Sequence, residues 1–380
     1  LPSYNITTDL FQLPDPKNRS ILYAPRRGVV FEAERDLVAF LAEMAETGGQ
    51  KTVPPPLAPM MAYLVEKGVV NGPDPPAAPQ KPLADLSPTL LTLFPTNRCN
   101  LACRYCYAAD CNAPTPDMRW ETAAAAIRYY LDLMKREKRT AFDLCFHGGG
   151  EPLAAFDLVR RIVETAETRC RESGYSLHVH TATNGVLNRD RLRWIVDHFS
   201  SLYVSFDGPP DIQNAQRPGP NGAPSFPAVD RTLRHLDEKR FPYAIRCTVT
   251  RGGQDRIDEI VDFISGRYAA RTIFLEPAYG CGRAAGDGAM APDFDVFTAA
   301  YRRIEPRCAA RGVRLAYSGA RFERIAPNFC YVGTDDFAVT VDGDLTNCWE
   351  VTGRDHPLAD AFIFGRLTPD GVLEVDEEKR

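Results

Sequence analysis

From residue 89 onward six short apolar runs alternate with five stretches of helical periodicity. Few folds accept such a pattern. Neighbouring parallel strands need long crossovers, and each crossover returns right-handed over the same sheet. The apolar runs cover 89–94, 141–146, 176–181, 201–206, 242–250 and 272–276. The helical stretches cover 121–135, 155–170, 190–199, 225–239 and 257–265. In the first of these, Trp120 leads in, and Ile127, Tyr130, Leu131 and Met134 mark the face that meets the sheet. A flat doubly wound sheet and a curved barrel both satisfy this order. The loops choose the barrel. Four of the first five strands run straight into a loop carrying chemically loaded residues, as required when chemistry sits at the carboxyl ends of barrel strands.

The loop after the first strand reads Phe94-Pro-Thr-Asn-Arg-Cys99-Asn-Leu-Ala-Cys103-Arg-Tyr-Cys106-Tyr107. Its C-x3-C-x2-C spacing puts three thiols on one compact turn. A cubic [4Fe–4S] cluster takes four ligands, normally cysteines. Three leave one iron open to the oxygen and nitrogen donors of a small molecule. Zinc is the rival, but a closed structural zinc site needs a fourth ligand. Cys111 is the nearest thiol and an awkward fourth.

The second loop is His147-Gly148-Gly149-Gly150-Glu151-Pro152. Consecutive glycines let a ligand approach the backbone closely, and Glu151 offers a carboxylate to an ammonium. His147 reads most simply as a histidine packed at a strand end. Thr183-Asn184-Gly185 follows the third strand and is otherwise a plain Asn-Gly turn. The fourth strand ends Ser205-Phe206-Asp207-Gly208-Pro209, with Arg217 further on. Arg217 suits a carboxylate or is a solvated loop charge, while Asp207 can bond the turn's own backbone. The fifth strand carries Arg246, and a buried arginine needs partners. The sixth ends Glu276-Pro-Ala-Tyr279-Gly-Cys281-Gly-Arg283.

The three-cysteine loop, followed in order by GGEP, TNG and S-x-D-G segments, resembles the radical S-adenosylmethionine superfamily over about residues 89–350. The resemblance implies a partial (β/α)6 TIM-like barrel and a [4Fe–4S] cluster on Cys99, Cys103 and Cys106. The open iron would chelate S-adenosylmethionine, whose reductive cleavage yields a 5′-deoxyadenosyl radical able to take hydrogen from unactivated carbon. It implies that Tyr105 contacts adenine and that Gly149, Gly150 and Glu151 hold the methionine amino group. Asn184 would line the cofactor, Ser205 would meet ribose or carboxylate, and Arg217 a carboxylate. Arg246 suits the cofactor carboxylate or the substrate. Glu276 and Tyr279 stand where substrate should approach, as candidates for proton transfer or pocket shape. A flavodoxin or ferredoxin would supply the electron.

Residues 1–72 read as a separate α+β module. The run 20–25 and the run 26–31 suit a hairpin. A helix follows over 34–44, with Leu37, Val38, Phe40, Leu41 and Met44 at helical spacing, ended by Gly48-Gly49. Another covers 57–67, with Met60, Met61, Tyr63 and Leu64 inward, before a short strand or wing at Val69-Val70. The order resembles the winged-helix leader-recognition element of peptide-modifying enzymes, which take an extended peptide onto a sheet edge. A plain cap on the barrel is the alternative. Residues 73–88, rich in Pro and Ala, read as a linker. The barrel is assigned to 89–318 and a small C-terminal β-hairpin region to 319–380.

In that last region Cys330 and Cys348 frame a hairpin over 337–341 turning on Asp342-Gly343. The C-x12-G-x4-C spacing resembles the opening of a SPASM extension, which holds auxiliary [4Fe–4S] clusters. No later C-x2-C-x5-C run follows before Arg380. Two cysteines cannot fill a cluster, so the expectation is a chain cut short or an incomplete auxiliary site. Of the other thiols, Cys145 and Cys247 fall on predicted strands and read as core.

At 380 residues the chain is long enough for two or three domains. Eleven cysteines, an odd number with three of them clustered, favour metal and thiol chemistry in the reducing cytoplasm. A net charge of −5 with dispersed Lys and Arg argues against nucleic acid as partner. No apolar run has the length to span a membrane, and the start Leu-Pro-Ser-Tyr, which lacks Met, is no secretion signal. The expected activity is maturation of a ribosomal precursor peptide bearing a leader, with a C–C cyclophane or thioether cross-link installed. Anaerobic sulfatase maturation, making formylglycine, is the enzymatic alternative, and a zinc-binding scaffold the non-enzymatic one.

Overall fold

The computed structural model describes residues 4–7, 10–15, 19–49, 51–73, 86–108, 116–284, 290–320, 330, 336–376 and 378–379. They fall in two compact units, the first up to residue 73 and the second from residue 86. Most of the predicted linker, and Cys111, lie outside the described residues.

The first unit is a three-stranded antiparallel sheet followed by two helices. Its strands β1 (Phe11–Asp15), β2 (Arg19–Ala24) and β3 (Val29–Ala33) lie in sequence order. The hairpin of β2 and β3 follows the predicted runs, turning through Pro25–Arg27 into Gly28 at φ 64°. Strand β1 has no counterpart in the sequence reading, because it is short and holds Pro14. Leu22, Ala24, Val29 and Ala33 on one face pack on α1 (Arg35–Glu46) and α2 (Ala58–Glu66), through Leu37, Phe40, Leu41, Met44, Met61 and Leu64. Val70 bridges to Ile6 where a wing was expected. Tyr63, expected inward, is exposed and meets Phe31 edge-on. On the opposite face Phe11, Tyr23 and Val30 form one cross-strand row, with Phe11 and Val30 exposed.

In the second unit β4 (Leu91–Leu93), α3 (Trp120–Glu137), β5 (Ala141–Phe146), α4 (Phe156–Ser173), β6 (Ser176–Thr183), α5 (Arg189–His198) and β7 (Ser201–Ser205) alternate as predicted. They are followed by α6 (Pro210–Gln216), α7 (Phe226–Glu238), β8 (Tyr243–Val249), α8 (Ile257–Arg267) and β9 (Thr272–Pro277). Then come α9 (Phe294–Ala310) and β10 (Arg314–Ala316). Strands β4 to β10 are parallel and lie in chain order, giving the large parallel sheet of a partial barrel. A seventh parallel strand therefore extends the predicted six. Its helix α9 contains Pro306 and β10 has only 3 residues, so neither carries a clear period.

Alternation along the strands sets the two faces. Phe142, Leu144, Phe146, Val179, Leu202, Val204, Ile245, Cys247, Ile273 and Leu275 are buried in the helix-covered core. Asp143, Cys145, Tyr203, Ser205, Arg246 and Thr248 occupy the intervening positions and point the other way. Cys247 is thus a core thiol as expected. Cys145 is not, being half-buried on the inner face.

The C-terminal strands β11 (Ala338–Val339) and β12 (Asp344–Thr346) form the predicted hairpin, and Gly343 turns it at φ 85°. After α10 (Ala359–Phe362), β13 (Ile363–Leu367) and β14 (Leu373–Val375) continue it as an antiparallel run. Strand β11 pairs in parallel with β4, so the hairpin extends the barrel sheet past its first strand. The carboxylate of Asp336, just ahead of β11, accepts from the backbone N–H of Thr89 at 2.6 Å and from its hydroxyl at 2.9 Å.

Asp336→Ala should strand those Thr89 donors and cost about 1–3 kcal/mol. Denaturant melts of the reduced chain should show that loss, together with faster proteolysis of the segment beyond residue 336.

Candidate functional site

The thiol loop leaves β4 through Phe94, Pro95 and Thr96, all buried, and is moored to three other loops. Arg98 C=O accepts from Glu151 N–H at 2.9 Å, and the N–H groups of Ala102 and Arg104 donate to the carbonyls of Pro218 and Gln216. From the loop after β9, Arg283 donates through its backbone to Cys106 C=O at 2.9 Å and through its guanidinium to Cys103 C=O at 3.1 Å. Two glycines make these approaches feasible. A Cβ at Gly150 would lie 2.1 Å from the Arg98 carbonyl, and one at Gly282 would lie 2.3 Å from that of Cys106.

Asp207 is the centre of this arrangement and has no exposed surface. Its Oδ2 accepts from the Tyr105 hydroxyl at 2.7 Å, from Gln216 Nε2 at 2.9 Å and from Arg217 Nε at 3.1 Å. Its Oδ1 accepts from Thr248 N–H at 3.0 Å. Burial pulls the Arg217 guanidinium toward neutrality, but Asp207 outweighs it and keeps the group charged. Arg217 also lies over the Tyr105 ring at 5.1 Å and reaches Cys103 Sγ at 3.9 Å. Arg217 and Tyr105, expected on the cofactor's carboxylate and adenine, are thus tied to Asp207 and to each other. The sequence reading gave Asp207 only its own turn to bond.

Glu151 is likewise buried. It accepts from Leu153 N–H, from the Thr183 hydroxyl at 2.9 Å and from Asn184 N–H at 2.6 Å. Burial still pushes its carboxyl up to about 7. Asn184 extends from the same turn to Asn100 Oδ1 at 2.6 Å and to Cys99 Sγ at 3.8 Å. Glu151, Asn184, Asp207 and Arg217 therefore converge on the thiol loop from three different strands. Ser205 stands half-buried on the inner face, in register with Arg246. Arg246 contradicts the expectation of a buried, partnered arginine: it is exposed and, among the described residues, its side chain makes no hydrogen bond or ion pair.

Burial and the Glu151 carboxylate push the Cys99 thiol up to about 12, with Cys103 and Cys106 adding to the shift. Burial raises the Cys103 thiol as well, so both are held in the protonated form that a bound metal must displace. Among the described residues no three His, Cys, Asp or Glu side chains converge on one point as a single-ion site requires. An iron–sulfur cube takes its cysteines at separate corners, and the N–H groups of Asn184 and Arg217 already face two of the sulfurs. The donor set fits the cluster on chemistry and surroundings.

Around the mouth of the barrel, Glu276 is held by Ser318, whose N–H and hydroxyl donate to it at 3.1 and 2.6 Å. Tyr279 is half-exposed, with its hydroxyl 3.1 Å from that of Tyr317. Cys330 is exposed and Cys348 half-buried. Burial raises the Cys348 thiol, with Glu350 and Cys330 near enough to contribute. Just beyond Cys348, Trp349 packs its ring 4.8 Å from that of His147, and Thr352 lies against Gly149. His147 is held neutral by burial, with help from Arg246, and its value falls to about 4. The sequence reading passed over Trp349. Its adjacency to Cys348 was the available signal.

Residues 93–264 match the sequence model of the Radical SAM superfamily. The chain is 24% identical over 298 residues to the sporulation killing factor maturation protein SkfB of Bacillus subtilis, covering 77% of this chain and 66% of that one. It is 25% identical over 152 residues to the serine-type anaerobic sulfatase-maturating enzyme of Klebsiella aerogenes, covering 40% and 37%. The chain spans about a third to two thirds of the length of the curated relatives it matches. Among solved structures it resembles anSMEcpe with bound AdoMet and Cp18Cys peptide at TM-score 0.60 and 17% identity, over 76% of this chain and 79% of that one. It also resembles Streptococcus suis SuiB bound to S-adenosylmethionine at TM-score 0.53 and 14% identity, over 99% and 86%.

Asp207→Ala should leave Arg217 buried without an anion and cost about 3–5 kcal/mol, whereas Tyr105→Phe should cost about 1 kcal/mol. Denaturant melts of the metal-free, reduced chain measure both. Between pH 6.5 and about 4 the unfolded chain binds a proton at His147 that the folded chain does not. Stability should therefore fall as pH is lowered through that window, and His147→Gln should flatten this part of the stability–pH curve.

Proposed function

We propose that this chain, whose residues 93–264 form a radical SAM domain, is a maturase that acts on a precursor peptide and installs a C–C or thioether cross-link. Cys99, Cys103 and Cys106 would hold a [4Fe–4S] cluster, and Gly149, Gly150, Glu151, Asn184 and Ser205 line the face where S-adenosylmethionine would bind. When bound, this pair supplies a radical able to remove hydrogen from unactivated carbon. The chain's own groups set the loop's position and keep water away: Asp207, Arg217 and Tyr105 from one side, Arg283 and Gly282 from another. Cys330 and Cys348 are proposed as ligands of an auxiliary cluster, completed by residues from elsewhere. A flavodoxin or ferredoxin is the proposed electron donor, and the reducing cytoplasm the proposed setting. No helix among the described residues is long and apolar enough to cross a membrane.

The observation that most supports a peptide substrate is the extent of the likeness to SuiB, which reaches over 99% of this chain and so includes the N-terminal unit. SuiB is also known bound to the precursor peptide SuiA. In the N-terminal unit, β1 and β3 are edge strands with one partner each, β2, among the described residues. An extended leader can add to such an edge through backbone hydrogen bonds. Formylglycine formation is the second reading, favoured by the likeness to the Klebsiella enzyme and to anSMEcpe. Those anSMEcpe structures cover only 76% of this chain.

Anaerobic reconstitution with iron and sulfide should give a brown protein that releases 5′-deoxyadenosine from S-adenosylmethionine. Cys103→Ala should lose that release. A colourless protein retaining zinc would overturn the assignment. With a precursor encoded beside this gene, deletion of residues 1–72 should abolish leader-dependent cross-linking. Unchanged turnover after the deletion would count against leader recognition. Because oxidation of Ser to formylglycine also removes two hydrogens, the products are separated by reaction with an aldehyde-specific hydrazide before mass spectrometry: formylglycine is labelled and a cross-link is not.

A further inference from the structure

Arg246 stands in mid-strand on β8, where Ile245 and Cys247 enter the helix-covered core and Arg246 takes the opposite face. Its in-register neighbours are Ser205 on β7 and Phe274 on β9. The carboxylates of this face are already engaged, Glu276 by Ser318 and Asp143 by His178 at 3.2 Å. Of the arginines near the thiol loop, Arg217 is taken by Asp207, Arg98 by Asp117, and Arg283 donates to the Cys103 carbonyl. The Arg246 side chain has neither a hydrogen bond nor an anion among the described residues.

A second unsatisfied group lies just beyond the end of β5. His147 Nδ1 is buried and has no hydrogen-bond partner. Its ring is enclosed by Trp349 at 4.8 Å and Phe94 at 6.1 Å. Arg246 is close enough to oppose protonation of that ring. An imidazole nitrogen buried without a partner costs about 1–3 kcal/mol. A carboxylate satisfies the pair: it accepts from the guanidinium fork on one side and from a neutral imidazole N–H on the other. Phe274, in register with Arg246 and 6.0 Å from the Tyr203 ring, is the apolar neighbour of Arg246, and Trp349 is that of His147.

We propose that Arg246 and His147 form a carboxylate-binding subsite on the inner face of the barrel, and that its ligand is an acidic side chain of the peptide substrate. The source of the carboxylate rests on the peptide-maturase reading; its chemistry does not. The subsite would place an Asp or Glu of the peptide against β8 and so fix which neighbouring carbon lies toward the thiol loop.

Trp349 provides the readout. The chain has 3 tryptophans, and Trp120→Phe with Trp194→Phe leaves it alone. The full reconstituted chain with S-adenosylmethionine is titrated with N-acetyl-aspartate N-methylamide and, separately, with its asparagine counterpart. The aspartyl probe should change Trp349 emission and bind about tenfold tighter or better, in keeping with a charge-assisted pair. Arg246→Gln should erase that preference, and Arg246→Lys should retain part of it, which also controls for folding. Equal binding of the two probes, or a preference that survives Arg246→Gln, overturns the subsite. Equilibrium dialysis with S-adenosylmethionine separates the two sources of carboxylate. Affinity for it within about twofold in Arg246→Gln supports the peptide, and a loss of about tenfold assigns the subsite to the cofactor and overturns the peptide assignment. An aspartyl preference in a chain that modifies no peptide supports the subsite and fails the maturase reading alone.

Discussion

A carboxylate removed from water holds the reactive end of this barrel together. Burying an ion is costly unless charge and hydrogen bonds both answer it, and Asp207 has both. It receives Arg217, Gln216 and Tyr105 on one oxygen and the Thr248 backbone on the other. These donors come from the thiol loop, from the end of α6 and just beyond, and from β8. One buried charge therefore fixes the separation of three segments far apart in sequence. The thiol loop, which has no helix or strand of its own between residues 94 and 108, takes its shape from this anchor, from Glu151 through the Arg98 carbonyl, and from Arg283.

The sheet and its outer helices were legible because burial there follows simple periods. Runs such as Ala141–Phe146 or Phe226–Glu238 alternate or repeat cleanly against the core. The C-terminal hairpin was legible from Asp342-Gly343. What escaped was short or interrupted: β1 with its proline, α9 with Pro306, and β10. Periodicity needs length to stand out, and a three-residue strand is decided by its neighbours.

At the site, sequence order identified the loops but not the pairing among them. Glu151 and Asn184 could be placed near the thiols because their motifs follow successive strands. That Arg217 would be spent on Asp207, and that Arg246 would be left open, depends on which side chain reaches which. Two arginines of equal charge differ here only because one has a buried carboxylate within reach. Trp349 is a further case. It belongs to a different part of the chain from His147, and only the pairing of β11 with β4 brings that part over the barrel.

That pairing also sets an order of events during synthesis. Strand β4 is the first of the sheet to leave the ribosome, yet one of its two neighbours is among the last, with Thr89 and Asp336 separated by 247 positions. Until then one edge of β4 is an unpaired row of amides and carbonyls beside the unfilled thiol loop. Long-range closures of this kind are slow and leave edges open to wrong partners. The same delay keeps the loop reachable from that side. The cluster proposed for that loop would have its window for assembly then, before the hairpin docks and Trp349 settles against His147.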